Sequence, residues 1–468
     1  MTMWTSEQVL ALSPDVGSTK NGQKLASCDK WPSLGKSEQI IWGECQGSGK
    51  QPYRTQIDLS EPAFRCSCPS RKFPCKHSLG LFLLLANQAE AFKDSVPPDW
   101  VAQWLEKRSQ TAAQKQEKQE RQAADPRAQA KRAAQRAAKV EAGMADLERW
   151  LQDILRQGLA VLPNQSYGFW DQVAARLVDA QAPGLARRVR ELASIPHSGQ
   201  GWPERMLRSL SQLHLLTEGY KHLDALPPAL QAELRSHIGW PQSQEDLRLR
   251  WEQKDPLVER LADQWQVLGR VVTEEENLKV QRVWLGGIGQ RRAALVLSFA
   301  HGSQPLDISL VPGARFEGEL IFYPGTGIQR AFVEARGQTE LVQPSGAVGF
   351  EGLKFGGIES AGIGFGGIGF GGIEAAIAHC GEVFSQNPWQ AQVPLTLHQV
   401  VPRSEGDQWW LLDRAGQALP ISPRFQQGWE MMAVSGGGPL TVFGEWDGER
   451  FLPLSLWNES QLFISLGA

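Results

Sequence analysis

The sequence predicts an α+β protein of several domains: an N-terminal β-hairpin with a Cys/His-rich knuckle and a helix, a central helical domain, and a C-terminal, mostly antiparallel β domain. Three cysteines and one histidine lie within residues 66–77. Apolar residues recur at helical spacing over residues 144–264, and the period shifts towards two after residue 265. At 468 residues the chain exceeds what one hydrophobic core usually holds.

The first predicted elements are two strands at residues 39–45 and 53–59, joined by a turn-rich connection at residues 46–52. They form a hairpin that leads into the knuckle. The apolar run at residues 78–86 then predicts a buried helix, so the knuckle is expected to lie between a strand and a helix. Together they define an N-terminal domain over residues 1–100.

The knuckle has the composition of a metal site, because Cys66, Cys68, Cys75 and His77 supply four soft or borderline ligands. In an extended strand, Cys66 and Cys68 point to the same side. The connection to Cys75 contains two prolines around a polar tip, which suits a turn that brings the second pair of ligands back to the first. The sequence therefore predicts one structural zinc ion.

Alternatives to structural zinc are weaker. A disulfide framework is disfavoured, since the chain has only six cysteines and its first residues lack the pattern of a signal peptide. A catalytic zinc normally has three protein ligands and an open position, whereas this set of four is closed. The basic residues Arg65, Arg71, Lys72 and Lys76 surround the ligands and favour the thiolate form that binds metal.

The pattern Cys-x-Cys, a gap and Cys-x-His resembles the SWIM-type zinc finger, and Cys66, Cys68, Cys75 and His77 match it residue by residue. The gap of six residues is at the short end for that family. The resemblance implies a ββα-like core that binds DNA or other proteins. The whole layout resembles bacterial SWIM zinc finger proteins, whose genes often neighbour ATPase and von Willebrand factor type A genes.

A helical linker rich in Ala, Gln and Lys is predicted at residues 101–143. Residues 106–139 contain ten basic and four acidic residues, a net charge of +6. One interpretation is a solvated helical linker. The other is an arm that contacts phosphates beside the finger, with a steep salt dependence of affinity.

The helical domain is predicted at residues 144–264, where prolines divide the apolar pattern into several short helices. The β domain is predicted at residues 265–468, with a helix at residues 374–385. Its candidate strands are Val280–Trp284, Ala293–Phe299, Leu306–Val311, Gly318–Tyr323, Val393–Val401, Gln408–Asp413, Met431–Val434, Leu440–Trp446 and Phe451–Leu456.

A Gly-rich insertion at residues 349–373 carries a five-residue Gly-Phe-Gly-Gly-Ile repeat. The repeat contains a Gly-x-Gly-x-x-Gly string, which formally matches a dinucleotide-binding fingerprint. A period of five generates that match by composition, and no strand–helix context accompanies it. We interpret the insertion as a flexible loop of the β domain.

Composition limits the classes of function. A net charge of −3 gives no global attraction to nucleic acid, so any such binding requires a local patch. No stretch approaches the roughly 18 apolar residues that span a bilayer. We expect a cytoplasmic protein that does not bind membranes. It contains no Ser-His-Asp elbow, intact phosphate loop or open metal triad, which indicates a non-enzymatic role.

Two functions remain open. In the first, the finger is an adaptor that binds a protein partner, and the gene-neighbourhood resemblance implies an ATPase or a von Willebrand factor type A protein. In the second, the finger binds DNA or RNA: Arg65, Arg71, Lys72 and Lys76 contact phosphates, Phe73 stacks on a base, and the basic segment 106–139 extends the contact. The acidic net charge favours the adaptor.

Overall fold

The structure is a computed structural model. It describes residues 6–10, 12–13, 16–37, 40–46, 51–59, 63–70, 72–108, 110, 126–275, 278–301, 306–307, 309–341, 369–458 and 463–466. The predicted α+β architecture is confirmed, with N-terminal strands, a Cys/His cluster and a helix, then a helical region, then antiparallel sheet.

The N-terminal domain is a five-stranded sheet with helices on both faces. Its strands are β1 (Ser33–Lys36), β2 (Ile40–Cys45), β3 (Tyr53–Asp58), β4 (Ala63–Cys66) and β5 (Lys93–Asp94). Its helices are α1 (Ser6–Leu10), α2 (Val16–Gln23), α3 (Lys76–Asn87) and α4 (residues 99–108). The strand order is β4-β3-β2-β1-β5, and the β2–β3 pair is the predicted hairpin.

Successive side chains of a strand point to opposite faces, and in this sheet both faces carry apolar side chains. On one face, Ile57 and Phe64 pack against Phe82 of α3. On the other, Trp42 packs with Trp104 of α4. Because both faces are covered, α4 belongs to the N-terminal domain, although the sequence predicts residues from 101 onwards as linker.

The helical region has its own core of Leu, Val, Met and Trp side chains. Its helices are α5 (Pro126–Gln157), α6 (Tyr167–Asp179), α7 (Pro183–Leu192), α8 (Trp202–Lys221), α9 (Pro228–Ile238) and α10 (Gln244–Glu252). In α5, buried side chains begin at Val140. The preceding turns of α5 lie in the basic segment, of which residues 111–125 fall outside the described part of the chain.

The start of α7 contacts the end of α9 too closely for any side chain at Gly184. A Cβ at this position would lie 2.2 Å from the carbonyl oxygen of His237 and 2.9 Å from the backbone nitrogen of Gly239. We expect Gly184→Ala to lower the free energy of unfolding by about 1–3 kcal/mol, since backbone must shift. Urea denaturation checks this. Gly168→Ala is the control in the same region. A Cβ at Gly168 would lie 3.6 Å from the Ser166 hydroxyl, an ordinary contact, so this substitution should leave the free energy of unfolding nearly unchanged.

The first C-terminal unit is a closed five-stranded barrel. Its strands are β6 (Glu259–Glu275), β7 (Leu278–Gly287), β8 (Ala293–His301), β9 (Ala314–Phe322) and β10 (Arg330–Leu341). The order around the barrel is β6-β7-β8-β10-β9, and only the β8–β10 pair is parallel. Numbered within the barrel, this order is 1-2-3-5-4.

The second C-terminal unit is a seven-stranded sheet. Its strands are β11 (Gly369–Phe370), β12 (Val393–Glu405), β13 (Gln408–Leu412), β14 (Ala418–Pro420), β15 (Leu440–Trp446), β16 (Phe451–Trp457) and β17 (Phe463–Ser465), with the helices α11 (Ile373–Gln386) and α12 (Gly428–Ser435). The order is β14-β13-β12-β15-β16-β17, and β11 pairs parallel with β12. The helix predicted at residues 374–385 is therefore confirmed as α11.

The barrel and this sheet share one apolar core, which includes Trp284 of β7 and Phe443 of β15. At its edge, Arg282 forms a bidentate ion pair with Glu445, with Nε–Oε1 and Nη2–Oε2 distances of 2.9 Å each. The indole nitrogen of Trp284 donates to the same carboxylate at 2.8 Å. The outer face of β7 is thus covered by the C-terminal sheet.

Two predicted strands are wrong. Residues 306–311 are irregular where described: Leu310 and Val311 pack into the barrel core, and the Ser309 carbonyl accepts a hydrogen bond from Arg336 at 3.0 Å. Residues 431–434 lie in helix α12, where Met431 packs into the core. A short apolar run does not distinguish a strand from one turn of buried helix.

Most of the Gly-rich insertion lies outside the described residues, which resume at Gly369. Over the described part of the chain, no helix combines the length and the apolar character needed to cross a bilayer.

Candidate metal centre

Four ligand side chains converge where strand β4 meets helix α3. Cys66 is the last residue of β4, and Cys68 follows two residues later. Cys75 is the N-cap of α3 and His77 lies in its first turn. The three sulfurs and a histidine ring nitrogen all lie within 4.8 Å of one another. The sequence prediction that these residues form one cluster is confirmed.

The spacing of the ligand atoms fits a tetrahedral zinc ion. Zinc–sulfur bonds of about 2.3 Å place two sulfurs of a tetrahedron about 3.8 Å apart, and a sulfur and a nitrogen slightly closer. The Nδ1 atom of His77 lies 3.7 Å from the Cys66 sulfur and 4.0 Å from the Cys75 sulfur. Nδ1 is therefore the ring nitrogen that faces the metal position.

Helix α3 stabilises negative charge on Cys75. The backbone N–H of Ser78 donates to the Cys75 sulfur at 3.5 Å, and the Ser78 hydroxyl lies 3.4 Å from it. The N-terminal end of a helix carries partial positive charge, which favours a thiolate there. Cys75 consequently acts both as a metal ligand and as the helix cap.

Strand β3 supplies two supporting contacts that we did not predict. The Thr55 hydroxyl donates to the Cys66 sulfur at 3.2 Å, and the Tyr53 ring packs on His77 with a centroid distance of 4.7 Å. Such outer contacts orient metal ligands and tune their basicity. The alternation of β3 places Tyr53 and Thr55 on the same face, but only the β3–β4 register shows that this face meets the cysteines.

The thiols influence one another strongly in the absence of metal. Hydrogen bonds from Cys66 and Cys68 lower the pKa of Cys75. Hydrogen bonding to Cys68 and Cys75 raises the pKa of Cys66. For His77, burial opposes protonation, but hydrogen bonds with Cys68 and Cys75 outweigh it and raise the pKa to about 9. Zinc must displace these protons, so its binding strengthens as pH rises.

Comparison with protein families agrees with this geometry. Residues 53–86, which contain β3, β4, the four ligands and most of α3, match the family model of the SWIM zinc finger. The N-terminal domain contains a SWIM zinc finger. Residues 135–238 match a second model, the SWIM-associated four-helix bundle domain. No curated protein and no solved structure matches the chain.

In this SWIM finger the four ligands are positioned to hold one zinc ion. When bound, the ion cross-links the end of β4 to the first turn of α3. The protein supplies four ligands and leaves no open coordination position, which is the arrangement of a structural zinc site. The two other cysteines of the domain lie outside the cluster: Cys28 is exposed, and burial raises the pKa of Cys45 to about 11.

The predicted contact residues have different environments. Arg65, Lys72 and Lys76 are exposed around the metal centre. Phe73 is half-buried and packs edge-on against Phe64 with a centroid distance of 6.0 Å, so its ring is engaged in the domain core. Arg71 lies outside the described residues.

Proposed function

We propose that the protein is a non-enzymatic, zinc-dependent adaptor whose SWIM finger binds a protein partner. The closed Cys₃His site carries this proposal, because a metal without an open position serves to hold a surface in shape. The adjoining domains then supply further contacts. The gene-neighbourhood resemblance suggests an ATPase or a von Willebrand factor type A protein as the partner.

Mixed charge on the N-terminal domain favours a protein partner over nucleic acid. Arg54 lies 3.2 Å from the carboxylate of Glu44, and Arg108 lies 3.7 Å from that of Asp58. Carboxylates interspersed with arginines weaken attraction to a phosphate backbone, whereas protein surfaces accommodate both signs of charge.

Reversing charge beside the metal should weaken the adaptor. We expect Lys72→Glu/Lys76→Glu to lower affinity for the ATPase or von Willebrand factor type A protein about tenfold or more, because the charge that this surface presents to its partner is reversed. Surface plasmon resonance with purified zinc-loaded protein measures this. The control is Lys93→Glu, an exposed lysine on the far edge strand β5. Equal affinity for all three proteins would exclude this surface as the binding site.

The alternative function is zinc-dependent DNA or RNA binding by the finger together with the basic segment 106–139. Fluorescence anisotropy against single-stranded and duplex DNA and RNA at two salt concentrations tests it. In this case Lys72→Ala/Lys76→Ala should reduce the slope of log affinity against log salt by about one to two units, since each lysine releases about one counterion. An unchanged slope would remove both lysines from phosphate contact.

A further inference from the structure

The four ligands of the metal centre differ in their access to solvent. Cys75 and His77 are buried at the start of α3, with 3% and 4% of their surfaces exposed. Cys66 and Cys68 are half-buried, and Cys68 lies in the irregular segment that follows β4. A reagent from solvent therefore reaches the metal centre on the side of Cys66 and Cys68.

Two of the three sulfurs accept hydrogen bonds from outside the ligand set. The Thr55 hydroxyl donates to Cys66, and the backbone N–H of Ser78 donates to Cys75. A hydrogen bond to a thiolate stabilises its negative charge, and a more stable thiolate is a weaker nucleophile. Among the described residues, the hydrogen-bond partners of the Cys68 sulfur all belong to the ligand set. Cys68 is therefore the more nucleophilic of the two half-buried thiolates.

Cys68 is also a thiolate whenever the finger holds its metal, because cysteine binds zinc in the deprotonated form that oxidants attack. Exposure and thiolate character together decide which cysteine is oxidised. Cys28 is exposed, but its thiol donates a hydrogen bond to the side-chain oxygen of Gln88 at 3.0 Å and so carries its proton. Cys45 and Cys380 are buried. Cys68 combines both properties.

Cys75 is placed to react with an oxidised Cys68. The two sulfurs are hydrogen-bonded to each other and lie within the 4.8 Å that encloses all the ligand atoms. Cys66 is less suitable, because residues two apart in an extended strand direct their side chains in parallel from Cα atoms about 6.6 Å apart. That separation is near the upper limit for a disulfide, whose Cβ atoms must approach to about 3.8 Å.

We propose that Cys68 is an oxidation site at which a peroxide converts the finger from its zinc-binding form to a disulfide-bonded form. The Cys68 thiolate attacks one oxygen of hydrogen peroxide, the O–O bond breaks and hydroxide leaves, which produces a sulfenic acid. The Cys75 thiolate attacks that sulfur and displaces a second hydroxide, so a Cys68–Cys75 disulfide forms. The two sulfurs lose two electrons, and the peroxide gains them.

The disulfide removes two ligands of the metal centre at once. Cys66 and His77 remain, which are too few for a tetrahedral zinc site, so zinc is released. The Cys75 sulfur also caps α3, the helix that covers one apolar face of the N-terminal sheet. Oxidation therefore unfolds the finger, and a thiol reductant with zinc restores it. This device acts on the metal centre itself and does not depend on which partner the finger binds.

Rapid-mixing oxidation of the zinc-loaded full chain with hydrogen peroxide tests the site. A chromogenic zinc dye should report one ion released per chain, together with loss of two of the six thiols. Dimedone, which traps sulfenic acids, should be found by mass spectrometry on Cys68 about tenfold more often than on Cys66 or Cys75. Zinc release without loss of thiols, or dimedone mainly on Cys66 or Cys75, would overturn the proposal.

Tryptic digestion identifies the disulfide, because Arg71 and Lys72 separate Cys75 from the other two cysteine ligands. The oxidised protein should give a cross-linked pair of peptides that joins residues 66–71 to residues 73–76. A disulfide confined to the peptide of residues 66–71 would exclude Cys75 as the second cysteine.

Two variants test the cause of the selectivity. Thr55→Val removes the hydroxyl that donates to Cys66 at nearly constant shape, so dimedone on Cys66 should increase several-fold. If this variant does not retain one zinc ion, Thr55→Ala replaces it with the same expectation. Cys28→Ser is the control and should release zinc at the rate of the unmodified protein. Unchanged labelling of Cys66 in the zinc-loaded Thr55 variant, or slower release in Cys28→Ser, would overturn the assignment to Cys68.

Discussion

Replacing Cys75 by Ser is expected to unfold the N-terminal domain while the helical region and the C-terminal units stay folded. Structural zinc contributes about 10–16 kcal/mol of apparent binding free energy in small finger peptides, which is as large as the whole stability of a typical domain, about 5–15 kcal/mol. Cys75 is also the N-cap of α3, the helix that fills the apolar face of the sheet. Loss of the ligand therefore removes the metal cross-link and the cap together.

Hydrogen–deuterium exchange followed by mass spectrometry measures this effect. Peptides from β2, β3 and α3 should lose protection in Cys75→Ser, and peptides from the barrel should keep it. Zinc content, measured by atomic absorption, should fall from one ion per chain to none. Chelation of the unmodified protein should reproduce the same exchange pattern.

The control is Cys28→Ser, because Cys28 is in the same domain, is exposed, and its thiol donates to the side-chain oxygen of Gln88 at 3.0 Å. It should retain the ion and the protection of α3. A Cys75→Ser protein that still holds one zinc ion and protects α3 would show that the cluster is not the metal site.

The zinc ligands could be predicted from the sequence because the site is local. All four fall within residues 66–77, so strand periodicity and one turn suffice to bring them together. The hairpin and α3 were predictable for the same reason, since turn residues and an apolar run mark them directly. The contacts of Thr55 and Tyr53 needed the β3–β4 register, which depends on pairing between separate strands.

The C-terminal units show where sequence patterns stop being informative. Closing the barrel requires β8 and β10 to pair in parallel, a contact that strand periodicity does not specify. Leu310 and Val311 pack into the barrel core and residues 431–434 belong to a helix, because burial in either setting gives the same run of apolar residues as a strand. The hydrogen bonds of Arg188 in α7 to His237 in α9 and to the Trp389 carbonyl also join residues distant in sequence, so no local signal marks them.

Replacing Glu445 by Ala should strongly destabilise the C-terminal half. Glu445 and Arg282 have side-chain exposures of 3% and 14%, so removing the carboxylate leaves the guanidinium buried without its partner. The indole N–H of Trp284 loses its acceptor as well. Breaking one partner of a buried ion pair costs about 3–5 kcal/mol. Urea denaturation followed by tryptophan fluorescence measures the loss.

Removing both charges separates the cost of the unpaired arginine from the value of the pair. The double variant Arg282→Met/Glu445→Leu should recover most of the stability lost in Glu445→Ala, because apolar residues of similar volume can replace a buried ion pair at little cost. Glu259→Ala is the surface control: its partner Arg292 stays 30% exposed, so the change should cost less than about 1 kcal/mol. A double variant as unstable as Glu445→Ala would mean that the ion pair itself, with its hydrogen bond to Trp284, holds the barrel against the C-terminal sheet.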